Sequence, residues 1–279
     1  MGCFLPAAWS QEPASGMFGD AEAYERFMGR WSRLVAPPFV DFAALPEQGL
    51  ALDIGSGTGS LAFAIAGRKK HMGVTGIDPA KEYVAYAASR NPFPKRASFE
   101  VGDGQALRFP DASFDAALSL LVFNFIPDAK TALREARRVT RAGGAISAAV
   151  WDYGDGMRML RTFWDAVVQV DPRAESLDEK HMPLCRAGQL SRLWKEGGLE
   201  DVREEPIKIT MSFMSFADYW EPFLLGQGPA GACLHHLDGE KQQAVRAEAR
   251  RRLKLERENA PFSLPARVWA VRGVVPRRP

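Results

Sequence analysis

The sequence predicts an α/β fold with a doubly wound, mainly parallel sheet. Three observations carry that prediction. Strand-length apolar runs alternate with helix-period segments through residues 50–151. The first run ends in LDIGSGTGS (residues 52–60), an acid followed by three alternating glycines. Three successive strands end in an acid: Asp53, Asp78 and Asp103. Strands separated by helices need crossover connections, so they pair in parallel and are covered on both faces.

The elements follow in order. Residues 20–45 carry Tyr24, Phe27, Met28 and Trp31 at helical spacing, and Pro37-Pro38 is expected to interrupt or restart that helix. Residues 50–54 form the first strand and 59–67 the first helix. Val74–Ile77 is the second strand, 80–90 a helix and Ser98–Val101 the third strand. Phe114–Leu121 carries the fourth strand, Ala129–Thr140 a helix and Ala145–Trp151 the fifth strand. Beyond Asp152 the rhythm changes. Residues 156–170 and Ala187–Glu196 read as helices, Ile207–Phe213 and Ala266–Val275 as strands. Residues 214–262 are an insertion with helical patches. This gives a loose tail over 1–19, a helical cover over 20–45 and one domain over 46–279.

Bulk properties exclude several classes. A chain of 279 residues with 46% hydrophobic content can bury one large core. A net charge of +2 demands neither nucleic acid nor an acidic membrane. No apolar run approaches the roughly 20 residues of a membrane span. The first residues lack a basic, then apolar, secretory pattern. Gly2 invites myristoylation, but Pro6 stands where Ser or Thr is expected. Three scattered cysteines give no disulfide or zinc spacing, which fits a reducing, cytoplasmic setting.

The glycine turn carries the chemistry. Glycine permits positive φ and a close backbone approach, and a helix N-terminus offers free N–H groups. One bland turn residue explains any single strand-end acid; three in order behind a glycine turn point to a nucleoside ligand at the strand ends. Asp78 lies 25 residues after Asp53 and suits the two hydroxyls of a ribose. Asp103 can accept from an adenine amine, with Gly104 and Gln105 supplying backbone donors. A dinucleotide site wants G-x-G-x-x-G; here Ser60 replaces the last glycine, and Asp53 would repel a pyrophosphate. Asp53 would instead orient an ammonium, which favours S-adenosylmethionine (SAM) over NAD.

With LDIGSGTGS, GIDPA, GDGQALRFPDASFDAALSLLVFNFIPD and ALREARRVTRAGGAISAAVWD in place, residues 50–152 resemble a class I SAM-dependent methyltransferase. The group is the one that includes the ubiquinone and menaquinone C-methyltransferases. The resemblance implies a seven-stranded Rossmann-like sheet with the last strand antiparallel. It implies that Asp53, Gly55, Ser56, Gly57, Thr58 and Gly59 line the cofactor. Asp78 would bind ribose with Pro79 nearby, Asp103, Gly104 and Gln105 would meet adenine, and Ser119 and Leu120 would line the methionine. Asn124-Phe125 stands where members of the group often carry histidine, which excludes a histidine base there.

Residues 23–37 are expected to fold over the cofactor, with Tyr24 and Trp31 covering it and Arg30 pairing with its carboxylate; packing of an amphipathic helix on the sheet is the plainer alternative. The insertion, rich in Phe216, Tyr219, Trp220 and Phe223, is expected to be a lid over a small apolar or aromatic acceptor. Gly226, Gly228 and Gly231 would be its hinges. Tyr153, Tyr219, His235 and His236 are the candidate bases, and no metal site is expected. Lys241–Arg257 reads as a solvated basic helix, with RNA binding as the sharper alternative. A non-catalytic SAM-binding protein and an NAD oxidoreductase remain the competing classes.

Overall fold

The computed structural model describes residues 20–277; the expected tail over 1–19, with Gly2, Cys3 and Pro6, lies outside them. An opening segment comprises α1 (Ala21–Tyr24), one π-helical turn (Glu25–Gly29) and α2 (Arg30–Ala43). Then come β1 (Gln48–Ile54), α3 (Ser60–Arg68), β2 (His71–Asp78), α4 (Lys81–Ser89), β3 (Ala97–Val101) and β4 (Phe114–Leu120). They are followed by α5 (Ala129–Val139), β5 (Thr140–Trp151), α6 (Arg158–Val170), α7 (Gln189–Glu196) and β6 (Glu200–Phe213). The insertion holds α8 (Phe216–Trp220), α9 (Gly228–His236) and α10 (Gly239–Arg252), and β7 (Phe262–Val274) closes the sheet.

The seven strands lie in the order β3-β2-β1-β4-β5-β7-β6. β1 to β5 pair in parallel, and β7 runs antiparallel to both β5 and β6. β4 and β5 are buried along nearly their whole length, as a sheet covered on both faces requires. The strand order reverses between β1 and β4, so the crevice of an open α/β sheet opens at their carboxyl ends.

Two local expectations are corrected. Pro37 and Pro38 do not interrupt the helix; α2 runs through both. Val35, Ala36, Phe39 and Val40 are buried on its inner side, while the prolines and the carbonyls they free, on Arg33 and Leu34, lie toward solvent. Those carbonyls are open to solvent, and inner-face packing holds the helix. β6 begins at Glu200 rather than Ile207, because its first half is a charged edge strand with one face in solvent.

Candidate functional site

At the switch point the turn after β1 is stitched to the end of β2. Gly55, Gly57 and Gly59 have φ of +75°, +51° and +94°, which only glycine adopts without strain. Gly55 N and Ser56 N both donate to the Ile77 carbonyl at 2.8 Å. Gly57 N donates to Asp78 Oδ2 at 2.9 Å, and Ala80 N to Oδ1 at 2.9 Å. A Cβ on Gly55 would come within 2.5 Å of Val122, and one on Gly76 within 2.8 Å of Ser56 Cβ. The turn is therefore clamped between β2 and the segment after β4, where Leu121 takes a φ of +66°.

The cradle leaves unspent polar capacity. Asp53 is buried and neither carboxylate oxygen has a hydrogen-bond partner. Burial pushes its carboxyl up to about 8, opposed in part by the Ala62 amide at the head of α3. The Ser56 hydroxyl is also buried without a partner. A Cβ on Gly57 would meet nothing within 4 Å, so the turn faces open space there. Buried unpaired polar groups are costly, and a ligand ammonium and backbone-hugging carbons fit these vacant valences. Burial raises the Asp78 carboxyl, with the Ala80 and Gly57 amides opposing it.

The other expected site residues are placed as follows. Pro79 is exposed and holds the chain between Asp78 and α4. Asp103 is exposed, and its Oδ1 accepts from Gln105 N at 2.8 Å. Gln105 Oε1 accepts from Asp128 N at 3.0 Å, with Gly104 between the two side chains in sequence. Ser119 is buried and donates to the Ile54 carbonyl at 2.8 Å, so its hydroxyl pins β4 to β1. Leu120 is buried at the end of β4.

The opening helical segment lies across this cradle. Glu25, in the π turn, accepts from the Thr58 hydroxyl at 2.5 Å and pairs with Arg33. Gly29 makes the room, since a Cβ there would sit 2.4 Å from the Glu25 carboxylate. The Tyr24 ring lies 5.3 Å from the Tyr83 ring, and the Asp78 charge reaches its hydroxyl. Arg30, expected at a cofactor carboxylate, is instead engaged by the insertion: it pairs with Asp218 at 2.6 Å and stacks over Trp31. Trp31 is itself packed against Phe213 at 5.1 Å, away from the turn.

Three of the four candidate bases are spent elsewhere. Tyr219 is fully buried in an aromatic block with Phe213, Phe216 and Phe223, and donates to the Met159 carbonyl at 3.0 Å. Burial raises its hydroxyl far from any base role. His235 and His236 are exposed and engage the carbonyls of Leu224 and Ala232, each at 2.7 Å. Gly231, expected as a hinge, is a packing position: a Cβ there would sit 2.6 Å from the Gly226 backbone. Tyr153 differs, for it is buried just beyond β5 with Asn124 beside its hydroxyl. Glu25, Val122 and Glu179 were not singled out by sequence, and Asn124 was noted only as standing where related chains often carry histidine; in the structure it is buried with neither amide atom hydrogen-bonded. Among the described residues no cluster of His, Cys, Asp and Glu could hold a metal ion.

This geometry has relatives. Residues 52–148 match the family described as Methyltransferase domain. The chain is 29% identical over 170 residues to the 2-methyl-6-phytyl-1,4-hydroquinone methyltransferase of Synechocystis sp., covering 57% of this chain and 51% of that protein. It is 37% identical over 112 residues to a demethylmenaquinone methyltransferase of Roseiflexus castenholzii, covering 39% and 45%. Among solved structures it resembles a complex between the Haloferax volcanii Trm112 methyltransferase activator and a methyltransferase. That match has a TM-score of 0.59 and 19% identity, covering 96% of this chain and 99% of that one. The chain spans about half the length of the curated relatives it matches. Residues 52–148 thus match a methyltransferase domain, and this stretch is similar in sequence to demethylmenaquinone and ubiquinone/menaquinone C-methyltransferases.

Proposed function

We propose that the chain transfers a methyl group from SAM to a small, apolar or aromatic acceptor. The observation that carries this reading is the buried, unpartnered Asp53 carboxylate beneath a positive-φ glycine turn that faces open space. When bound, SAM supplies a methyl already activated by the sulfonium, so alignment is the protein's main task. Asp53 and Ser56 would hold the amino-acid end, Asp78 the ribose hydroxyls, and Asp103 with Gly104 and Gln105 the adenine edge. Tyr24 and Glu25 would close over the turn and exclude water. Leu120 and Leu121 would wall the methyl side at the end of β4.

A small-molecule acceptor is supported by the paired state of the basic helix. Arg246 and Arg250 of α10 share Glu258, and Arg251 and Arg252 share Glu248, so about half of this row's positive charge is offset within the fold. The curated relatives are named for quinone-type acceptors and for malonyl-acyl carrier protein, which also favours a biosynthetic role. No helix among the described residues is long and apolar enough to cross a membrane. Cys185 and Cys233 are free and buried; we place the enzyme in the cytoplasm on that chemistry. The test is conversion of SAM to S-adenosylhomocysteine by the purified chain with quinol acceptors. Turnover supports the reading; tight SAM binding with no turnover on any acceptor would favour a non-catalytic role.

A further inference from the structure

The polar groups of the cradle have little contact with solvent. Asp53, Ser56, Thr58 and Asp78 are 1%, 6%, 5% and 8% exposed. A ligand reaches them only when a covering segment moves aside. β1, β2, α3 and α4 are built into the sheet and its flanking layers, whereas the opening helical segment is an outlying piece laid across the turn. Among the described residues its one hydrogen bond to the turn runs from the Thr58 hydroxyl to Glu25, at 2.5 Å.

The insertion holds that segment down. Arg30 Nη1 donates to Asp218 Oδ1 at 2.6 Å, and Arg30 Nη2 to the Asp218 carbonyl at 3.1 Å. The second Asp218 oxygen accepts from Met214 N at 2.9 Å, so the carboxylate is fixed from its own side. Arg26 pairs with Glu221 at 3.6 Å, and the Phe27 ring meets Phe223 edge-on at 5.2 Å. A cleft of about 370 Å³ runs along this seam, lined by these charged groups with Arg33 and Pro222. The insertion itself is anchored, by the buried Tyr219 bonded to the Met159 carbonyl and by Arg252 of α10 paired with Asp165 of α6 at 3.5 Å. α2 is anchored through Val35, Ala36, Phe39 and Val40, all fully buried. The piece free to swing is therefore Ala21–Gly29, and the π turn Glu25–Gly29 is its joint with α2. Helices bend at such wide turns, which recur at functional sites. Among the described residues Asp218 has no hydrogen bond or ion pair with the glycine turn, Asp53 or Asp78.

We propose that Asp218 of the insertion latches the opening segment shut over the glycine turn and so sets how fast the cofactor enters and leaves. The inference rests on the SAM-binding reading above. Asp218 fixes Arg30, Arg30 ends the π turn, and the π turn carries Glu25 to Thr58. Loosening the first link loosens the last. The latch closes over the cradle from outside and spends none of the groups assigned to the cofactor. Breaking it therefore speeds entry and exit alike and leaves the equilibrium affinity where it was. Opening also exposes Phe27 and Met28, 4% and 8% exposed when closed, which keeps the closed form dominant. The Arg30 and Asp218 side chains are 25% and 28% exposed, so dissolved salt weakens the latch. Asp218 is a positioning residue, acting through Arg30 and Glu25 without touching the cofactor.

The test is stopped-flow mixing of the full chain with S-adenosylhomocysteine, read by tryptophan fluorescence, with calorimetry for the equilibrium affinity. Asp218→Asn is expected to raise the association and dissociation rates together by about three- to tenfold, the worth of one partly exposed charge-assisted pair, at unchanged affinity. Arg30→Met and the double variant should match it, because each breaks the same link. In the wild type both rates should climb between about 0.05 and 0.5 M salt, although the ligand is a net-neutral zwitterion that salt does not steer. In the variants that salt dependence should be lost. Rates in Asp218→Asn equal to those of the wild type overturn the inference. So does weaker binding carried by dissociation alone in Arg30→Met, which would make Arg30 a cofactor ligand. The salt series needs no substitution, and salt-independent wild-type rates overturn the inference even where a variant fails to fold. Failure of S-adenosylhomocysteine to bind the wild type at all would instead overturn the SAM-binding reading on which it stands.

Discussion

Asp53→Asn tests the cofactor cradle through stability and affinity together. The Asp53 carboxyl moves from 3.8 unfolded to about 8 folded, because burial disfavours its charge and the Ala62 amide offsets that only in part. Its folded pKa is raised, so the folded state holds a proton that the unfolded state has lost. Stability therefore falls as pH rises from about 4 to about 8. At about 1.4 kcal/mol per unit, the penalty on the cofactor-free protein is about 2 kcal/mol near pH 5 and about 4 kcal/mol near pH 7, as upper bounds. Asn carries no charge and escapes it. We predict that without cofactor the variant melts above the wild type, with a margin that widens by several degrees between pH 5 and pH 8. SAM should reverse the order, since its ammonium compensates the wild-type carboxylate and the variant should bind at least tenfold more weakly. Glu179, which burial pushes up to about 7, titrates in both proteins and cancels in the difference. A margin that does not change with pH, or equal SAM affinity, would refute the reasoning.

Other variants probe neighbouring parts of the account. Asp78→Ala should weaken SAM binding by about 1–3 kcal/mol in calorimetry, since it strips partners from the ribose and from the Gly57 amide. Unchanged affinity in a folded variant would remove the ribose role. Gly55→Ala should lower the melting temperature and cofactor affinity together, because its Cβ would press on Val122 at 2.5 Å in a φ +75° conformation. Arg161→Met removes the two-bond partner of the fully buried Asp178 and leaves it only the longer Lys180 ion pair at 3.6 Å, so it should cost about 3 kcal/mol in chemical denaturation. A loss under about 1 kcal/mol would show that Asp178 finds another partner or water.

The glycine turn and its stitching to β2 were legible in the sequence because local chemistry specifies them. The positive-φ glycines, the strand-end Asp78 and the helix after the turn all stand in the structure where their spacing put them. The surroundings of the turn were not, because they depend on pairing between distant segments. Nothing in the sequence around Glu179 distinguishes it from Asp178; α6 does, with Arg161 for one and Trp164 for the other. Arg30 read as a partner for the cofactor carboxylate, whereas the insertion supplies Asp218, 188 positions away. Tyr219 read as a pocket tyrosine because aromatic runs in a core and in a substrate wall look alike. The helix through Pro37-Pro38 shows inner-face burial outweighing a local breaker whose freed carbonyls reach water.

The most direct measurement is calorimetric titration of the purified chain with SAM, S-adenosylhomocysteine and NAD. The account predicts micromolar binding of the first two, lost on substitution of Asp53 and Asp78, and no binding of NAD. Binding of NAD in preference to SAM, or of none of the three, would contradict it.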